Sequence, residues 1–495
     1  MAKRDVSGHS PRVHDESVQA VIAFCVICMM VSPLVCAQGS HCTGNRVITD
    51  RQEVYPHDRS HSYGQSIAHD GFGKSISVSG STAVIGAPGL DRAFVYQLVK
   101  GIWIQEQVLR PEGPSESFGS GVAISGTTIV VTDRMIYHMN GAAFVFRRDG
   151  NRWIQVKVLR PPSGGWQGHF GGLSGIGLAL YRNTVYVTGG EAVGNHLRYV
   201  RVIYVYQERG GRWTRTVIDA RDLPKGDVLG PAIAVLGPRS LADGSVLASV
   251  RLKHAPWNLI RHAGQINILR LVHQKWVVSA RLSANRPQKG GLLGYPLAAS
   301  GNEIVATARD GIDVYRKRTG QWYHFWKIKP APHQYTFYPT PIDQIVKVVL
   351  RDMSRINRGQ RIVSVPEQAQ PKWIWISMPH NTPVAVSTTW VAYGFQKTWI
   401  RGKRGYWGIV FLFKQEHMRL VAVATLAPPP FTRQQQVAFV TGTRAVSLSG
   451  NWLAVGAKNL KTQGGLVYFY HLNPGASGCP APQHDFAGTY KHFGQ

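Results

Sequence analysis

This chain is short of carboxylates. Only 27 Asp and Glu stand against 56 Lys and Arg, a formal charge of +29 over 495 residues. That imbalance makes attraction to anions the default electrostatic property and says nothing about fold. Cysteine is scarcer still, with five residues (Cys25, Cys28, Cys36, Cys42 and Cys479). Five are too few for a disulfide-dense small scaffold, and their spacing matches no Cys/His metal site. The chain has no HExxH, no P-loop and no Gly-x-Ser-x-Gly elbow, which removes the chemistries those motifs carry. It also has no Asn-X-Ser/Thr acceptor, which favours a bacterial envelope over a glycosylating secretory route. No cofactor is implied.

One apolar run alone is long enough to cross a bilayer, from Val18 to Ala37. It ends in Val35-Cys36-Ala37, small residues suited to signal-peptidase cleavage. Residues 1–37 therefore read as a signal peptide cut after Ala37, which sends the chain to the periplasm, cell envelope or medium. An uncleaved anchor is the alternative. The segment ahead of the run balances Lys3, Arg4 and Arg12 against Asp5, Asp15 and Glu16, so its removal leaves the charge unchanged. Cleavage also removes Cys25, Cys28 and Cys36. Cys42 and Cys479 remain at opposite ends and are expected to pair.

What is abundant is turn formers and strand-compatible aromatics: 53 Gly, 28 Pro, 14 Trp, 19 Tyr and 17 Phe. They fall into a repeat. Residues 76–88 read ISVSGSTAVIGAP and are followed, after a gap, by FVYQLVKGIWIQEQVLRP. Residues 122–134 read VAISGTTIVVTDR and are followed by AAFVFRRDGNRWIQVKVLRP. The same order returns more loosely five further times, near Ile176, Ala232, Leu297, Val384 and Ala445. Each unit is four short strands of alternating apolar residues. Ser-Gly pairs (Ser79-Gly80, Ser125-Gly126, Ser300-Gly301, Ser449-Gly450) turn the first strand into the second. A Gly ahead of an aromatic (Gly101, Gly150, Gly211, Gly320) turns the third into the fourth. Seven such units predict an all-β, seven-bladed β-propeller of four-stranded antiparallel blades.

The last unit runs out before its fourth strand, and Asn45-Arg46-Val47-Ile48 up to Tyr55-Pro56 echoes Asn151-Arg152-Trp153-Ile154 up to Arg160-Pro161. The expectation is that this N-terminal strand closes the ring, with Cys42–Cys479 stapling the closure. The propeller is assigned to 38–480 and a tail to 481–495. The Pro- and aromatic-rich segment 331–383 reads as an insertion between blades five and six, with a degenerate eighth blade as the competing view.

Phe72-Gly73 followed by Gly86-Ala87-Pro88 resembles the FG-GAP repeat, the blade unit of integrin α-subunit propellers and of many exported bacterial proteins. Phe118-Gly119 and Phe170-Gly171 keep the first half of the pattern, and Val455-Gly456-Ala457 most of the second. The resemblance implies a ring used for ligand or protein binding. Many such repeats carry an Asp-rich calcium loop between strands one and two. Here Gly80-Ser81-Thr82 and Gly126-Thr127-Thr128 lack a carboxylate, so calcium is not implied.

The connections between strands two and three, and from strand four to the next blade, vary in length and are basic. One carries Arg134 and His138, another His196 and Arg198, and a third Lys458 and Lys461. The longest read RLKHAPWNLIRHAG from Arg251 and KTWIRGKRGYWG from Lys397. Arg251, Lys253, Trp257, Arg261, Lys397, Trp399, Arg401, Lys403, Arg404 and Trp407 are the candidate ligand contacts. Guanidinium pairs with carboxylate or sulfate, and aromatic faces stack on sugar rings. The reading is a monomeric, non-catalytic binding or adhesion protein for an acidic glycan, another polyanion or a protein partner, without specific nucleic-acid recognition. Solubility alone would account for exposed cations, but not for the interleaved Trp. A lyase-like enzyme on acidic polysaccharide, built on His254, Arg261, His262 and Tyr406, is the rival from another class. The recurring Trp103, Trp153, Trp213, Trp276 and Trp322 open strand four at one position and are expected to serve packing. Trp166, Trp373, Trp375 and Trp390 are left unassigned.

Overall fold

The computed structural model describes residues 47–57, 70–162, 177–193, 198–224, 228–245, 250–252, 255–309, 311–328, 334–337, 372–376, 383–395, 398–400, 403–405, 409–416, 419–426, 437–439, 445–459 and 464–475. The segment 1–41, the leader within it, and both Cys42 and Cys479 lie outside the described residues.

The first blade shows how the pattern becomes structure. Ser75–Ser79, Thr82–Ala87, Arg92–Val99 and Ile102–Leu109 pair antiparallel in chain order. Ser79 lies opposite Thr82, leaving the two-residue turn Gly80-Ser81, with Gly80 at φ +59°. Lys100 and Gly101 both have positive φ between strands three and four, as a turn matched to strand twist requires. Thr82–Ala87 is buried at every position, whereas the outer strand Ile102–Leu109 is largely half-buried or exposed. The second strand is covered on both sides by neighbouring blades, so its residues read as a continuous apolar run rather than an alternation.

The same four-strand order recurs in six more sheets. Their innermost strands are Phe118–Ser125, Leu178–Tyr181, Ala232–Gly237, Leu297–Ser300, Val384–Val386 and Val446–Ser449. Each touches the next, and the last returns to Ser75–Ser79. The molecule is an all-β ring of seven blades. The described regular helix is limited to one turn, Ile136–Met139, and a 3-10 turn, Ala220–Asp222. In the seventh sheet Ile48–Val54 runs antiparallel to Gly465–Leu472, with Val54 opposite Val467 and Ile48 opposite Leu472.

Blades meet backbone to backbone. A Cβ on Gly456 would come within 2.1 Å of the Gly73 carbonyl oxygen, and one on Gly86 within 2.1 Å of that of Gly119. Gly119 itself, at φ +99°, would meet the Arg92 carbonyl at 2.4 Å. The Phe ahead of each seam glycine packs edge-on against a Phe in the third strand of its own blade. Phe72 sits 5.3 Å from Phe94, and Phe118 sits 5.3 Å from Phe144. Dipeptide and tripeptide are thus two halves of one joint.

Side-chain amides and hydroxyls repeat at the seams. Gln52 donates to the Trp103 carbonyl at 2.7 Å and accepts from the Trp103 amide at 2.7 Å. Gln107 does the same with Trp153, at 2.8 Å both ways. Tyr96, Tyr206 and Tyr315 each donate to a carbonyl in the segment ending the preceding blade, at 2.7, 2.6 and 2.9 Å. Near the axis, Ser447 and Ser77 accept from the Val78 and Ile124 amides at 3.1 and 3.2 Å. These contacts satisfy edge groups that a separate sheet would leave open. Trp103 and Trp153 are buried, and Trp213, Trp276 and Trp322 pack against the cores that their blades share with the preceding blade. Trp390, unassigned in the sequence, is fully buried in blade six.

The segment 331–383 contributes strands without entering the ring. Gln334–Phe337 and Lys372–Ile376 pair with each other, and the latter pairs with Thr398–Ile400, which turns into Lys403–Gly405. Leu297–Ser300 and Val384–Val386, the innermost strands of blades five and six, touch directly.

Two substitution pairs check the seams. G119A should lose about 3 kcal/mol in urea unfolding, from overpacking on backbone and a left-handed φ. G80A, with the same sign of φ but open space around it, should lose only about 1 kcal/mol. Q52A and Q107A should each lose about 1–3 kcal/mol, because each leaves a backbone donor and acceptor unmatched. Equal losses mean that the N-terminal strand is latched as firmly as the covalently continuous seam.

Candidate ligand-binding face

In an up-and-down blade, the ends of strands two and four and the starts of strands one and three share one face. The opposite face carries the short turns, which lack room for variation. The long basic connections therefore emerge together by topology.

Two of them are strands rather than open loops. Val250–Leu252 and Ala255–Ile260 form a hairpin between strands two and three of blade four, with Arg251 opposite Leu259. Trp257 lies on its second strand, and Arg261 follows, exposed, its carbonyl accepting from the Gly290 amide at 3.1 Å. In blade six, Trp399 lies directly opposite Trp375 on one side and Arg404 on the other. Lys403 lies opposite Ile400. Lys253, Lys397, Arg401 and Trp407 lie outside the described residues. Each candidate group is thus gathered within itself, but the hairpin and the four-stranded sheet are separate sheets. TWIRGKRG has no apolar–polar alternation, since Trp399 and Ile400 are adjacent, so its strands left no periodic signal in the sequence.

Sequence reasoning also missed a cluster nearer the axis. Lys74 directly precedes the innermost strand of blade one, two residues after Phe72. Its pKa is lowered, first by desolvation and then by the charges of Lys458 and Arg134, against the opposing pull of Asp70. Lys458 ends the second strand of blade seven opposite Gly465, and Arg134 follows the second strand of blade two. The Asp70 carboxylate accepts from the Phe72 and Gly465 amides at 3.0 and 2.8 Å. Burial nevertheless raises its pKa, with those hydrogen bonds and Lys74 acting against the rise. No sequence period marks Lys74, because its neighbours arrive from opposite ends of the chain.

Blade four carries a buried acid on the same side. The Asp243 carboxylate is inaccessible, accepts from the Gly230 amide at 2.8 Å and lies 3.4 Å from the Asn267 side-chain nitrogen. Desolvation pushes its pKa up to about 7, against hydrogen bonds and the Arg201 charge. Arg221, in contrast, is neutralised by Asp219 and Glu191. Among the described residues no group of three or more His, Cys, Asp or Glu converges as a metal ion would need. No described helix is long and apolar enough to cross a membrane.

Ring, seams and face together define a seven-bladed β-propeller whose architecture fits a binding or adhesion role. Residues 66–96 match the family model described as the FG-GAP repeat, the stretch holding Phe72-Gly73 and Gly86-Ala87-Pro88. No curated protein matches the chain. Among solved structures it is similar to a functionally unknown protein from Desulfotomaculum acetoxidans, at 9% identity and TM-score 0.39, over 77% of this chain and 95% of that one. A putative 6-phosphogluconolactonase from Bacteroides uniformis is 14% identical at TM-score 0.32, over 51% and 70% of the two chains. The WD40 domain of Toxoplasma gondii coronin is 6% identical at TM-score 0.34, over 52% and 59%.

The raised pKa of Asp243 has a signed consequence. Between about pH 4 and 7 the folded carboxyl holds its proton while the unfolded one has lost it, so stability falls as pH rises through that window and then levels. D243N should flatten this slope in urea unfolding curves and gain on the wild type above pH 7. An unchanged slope contradicts the assignment.

Proposed function

We propose that this is an exported, monomeric, non-catalytic binding protein that holds an acidic glycan through the basic, aromatic-bearing loop face. The observation that carries the reading is the asymmetry between the two faces. Connections on one side are extended into strands holding Arg251, Trp257, Trp399, Lys403 and Arg404, while the other side keeps two-residue turns. Folding requires only the short turns, so the elaborated side answers to another demand. A chain of +29 attracts any polyanion, and the tryptophans select for flat apolar faces such as those of sugar rings.

The segments differ in what they offer. Trp375, Trp399 and Arg404 occupy one cross-strand row, where directly opposed residues share a face of the sheet. An arginine and two tryptophans in register suit a sugar carrying a carboxylate or sulfate, guanidinium answering the charge and indole the ring. A protein partner with an acidic surface would use the same cations but gain less from the paired indoles.

A glycan array run at low and at physiological salt checks this reading. Acidic polymers should bind and neutral ones should not, with affinity falling as salt rises. The variant R251E/K403E/R404E should weaken binding roughly tenfold or more, since reversal adds repulsion to the loss of three charge-assisted contacts. Silence across acidic glycans overturns it, as does the appearance of unsaturated ends on a uronate polymer.

A further inference from the structure

We propose that Lys74, Arg134 and Lys458, from three successive blades of the ring, form an oxyanion seat on this face that takes a sulfate or carboxylate group of the acidic polysaccharide. The inference rests on the binding reading above and adds a specific locus to it.

Topology brings the three together. Lys458 stands opposite Gly465 in blade seven, and a Cβ on Gly465 would lie 2.0 Å from the Phe72 carbonyl, two residues before Lys74. Arg134 follows Asp133, which pairs with Phe118, and the neighbouring Gly119 abuts the end of the second strand of blade one at Ala87. Lys74 directly precedes an innermost strand, Arg134 directly follows a second strand and Lys458 lies one residue from the end of another, in adjoining blades. The strands beside them are tied to one another at the seams.

The electrostatics of the cluster are unresolved within the protein. Among the described residues no carboxylate pairs with any of the three side chains in a salt bridge, in contrast to Arg148 with Glu106 at 2.6 Å and Arg316 with Glu303 at 3.2 Å. Asp70 is the nearby acid, and its oxygen is already held by two backbone amides. Lys74 feels both other cations as repulsion and is partly desolvated. Three like charges on a rigid frame cost stability unless an anion occupies the space between them. A sulfate ester would offer three terminal oxygens, and a carboxylate two oxygens with several lone pairs, to an ammonium, a guanidinium and a second ammonium.

The probes are dextran sulfate, polygalacturonate, neutral dextran and inorganic sulfate, each titrated into the full chain at several salt concentrations. For K74Q/R134Q/K458Q, affinity for the polymer that uses the seat should fall about tenfold or more. The slope of log Kd against log salt should fall by about one per cation removed. Weakening confined to dextran sulfate or to polygalacturonate identifies the group as sulfate or carboxylate. Inorganic sulfate at matched ionic strength should raise the melting temperature of the wild type but not of the triple variant. K458Q alone, relieved of one like charge, should melt higher than the wild type without sulfate. If the triple variant binds both polymers as the wild type does while R251E/K403E/R404E loses them, the seat is refuted and the wider reading survives. If sulfate protects the wild type but neither polymer binds, the seat stands as an oxyanion site and the polysaccharide reading falls. If neither happens, both fall.

Discussion

Close approach of main chain to main chain at the blade seams is the constraint on which everything else depends. Gly73 lies against Gly456, and Gly119 lies against Gly86; at neither seam is there space for a methyl group. That closeness sets the separation of neighbouring blades, and the separation fixes how many blades close a ring. It also buries Phe72 and Phe118 against the third strands of their own blades. The Gln and Tyr hydrogen bonds at the rim then settle the outer strands in the same spacing. Sequence, local turn, packing and ring geometry form one chain of cause here.

The ring in turn decides which segments can meet. Because every strand reverses, everything variable emerges on one side and everything minimal on the other. Lys74, Arg134 and Lys458 are brought together by this arrangement alone, since 324 positions separate the second from the third. Trp399 and Arg404 are paired by one hairpin, and Arg251 and Trp257 lie on the two strands of another, so the ring only fixes the side on which these hairpins sit. Two kinds of proximity therefore supply the same face, one long-range and rigid, the other local.

The fold was largely legible because the repeat is written in residues with narrow conformational roles. Ser-Gly turns, the Trp that opens the outer strand and the Phe-Gly joint each admit few substitutes, so they recur visibly. The cross-strand pairing of Trp375 with Trp399 was not legible. Trp375 precedes blade six and Trp399 lies between its second and third strands, and no local pattern records a pairing between separate segments. Lys74 was invisible for a related reason. A lysine at the start of a strand looks like any solvated cation until the neighbouring blades supply Lys458 and Arg134. The basic segments were read as loops because they are dense in charge and their apolar residues are irregularly spaced. In the structure they hold strands in a fixed register.

Hydrogen-exchange footprinting of the protein with and without dextran sulfate tests the central claim most directly. The account predicts slowed exchange at residues 70–74, 134–139, 250–260, 398–405 and 458–464. It also predicts no change at the turns around Gly80, Gly101, Gly126 and Gly150. Slowing spread evenly over both faces, or concentrated at those turns, would contradict it.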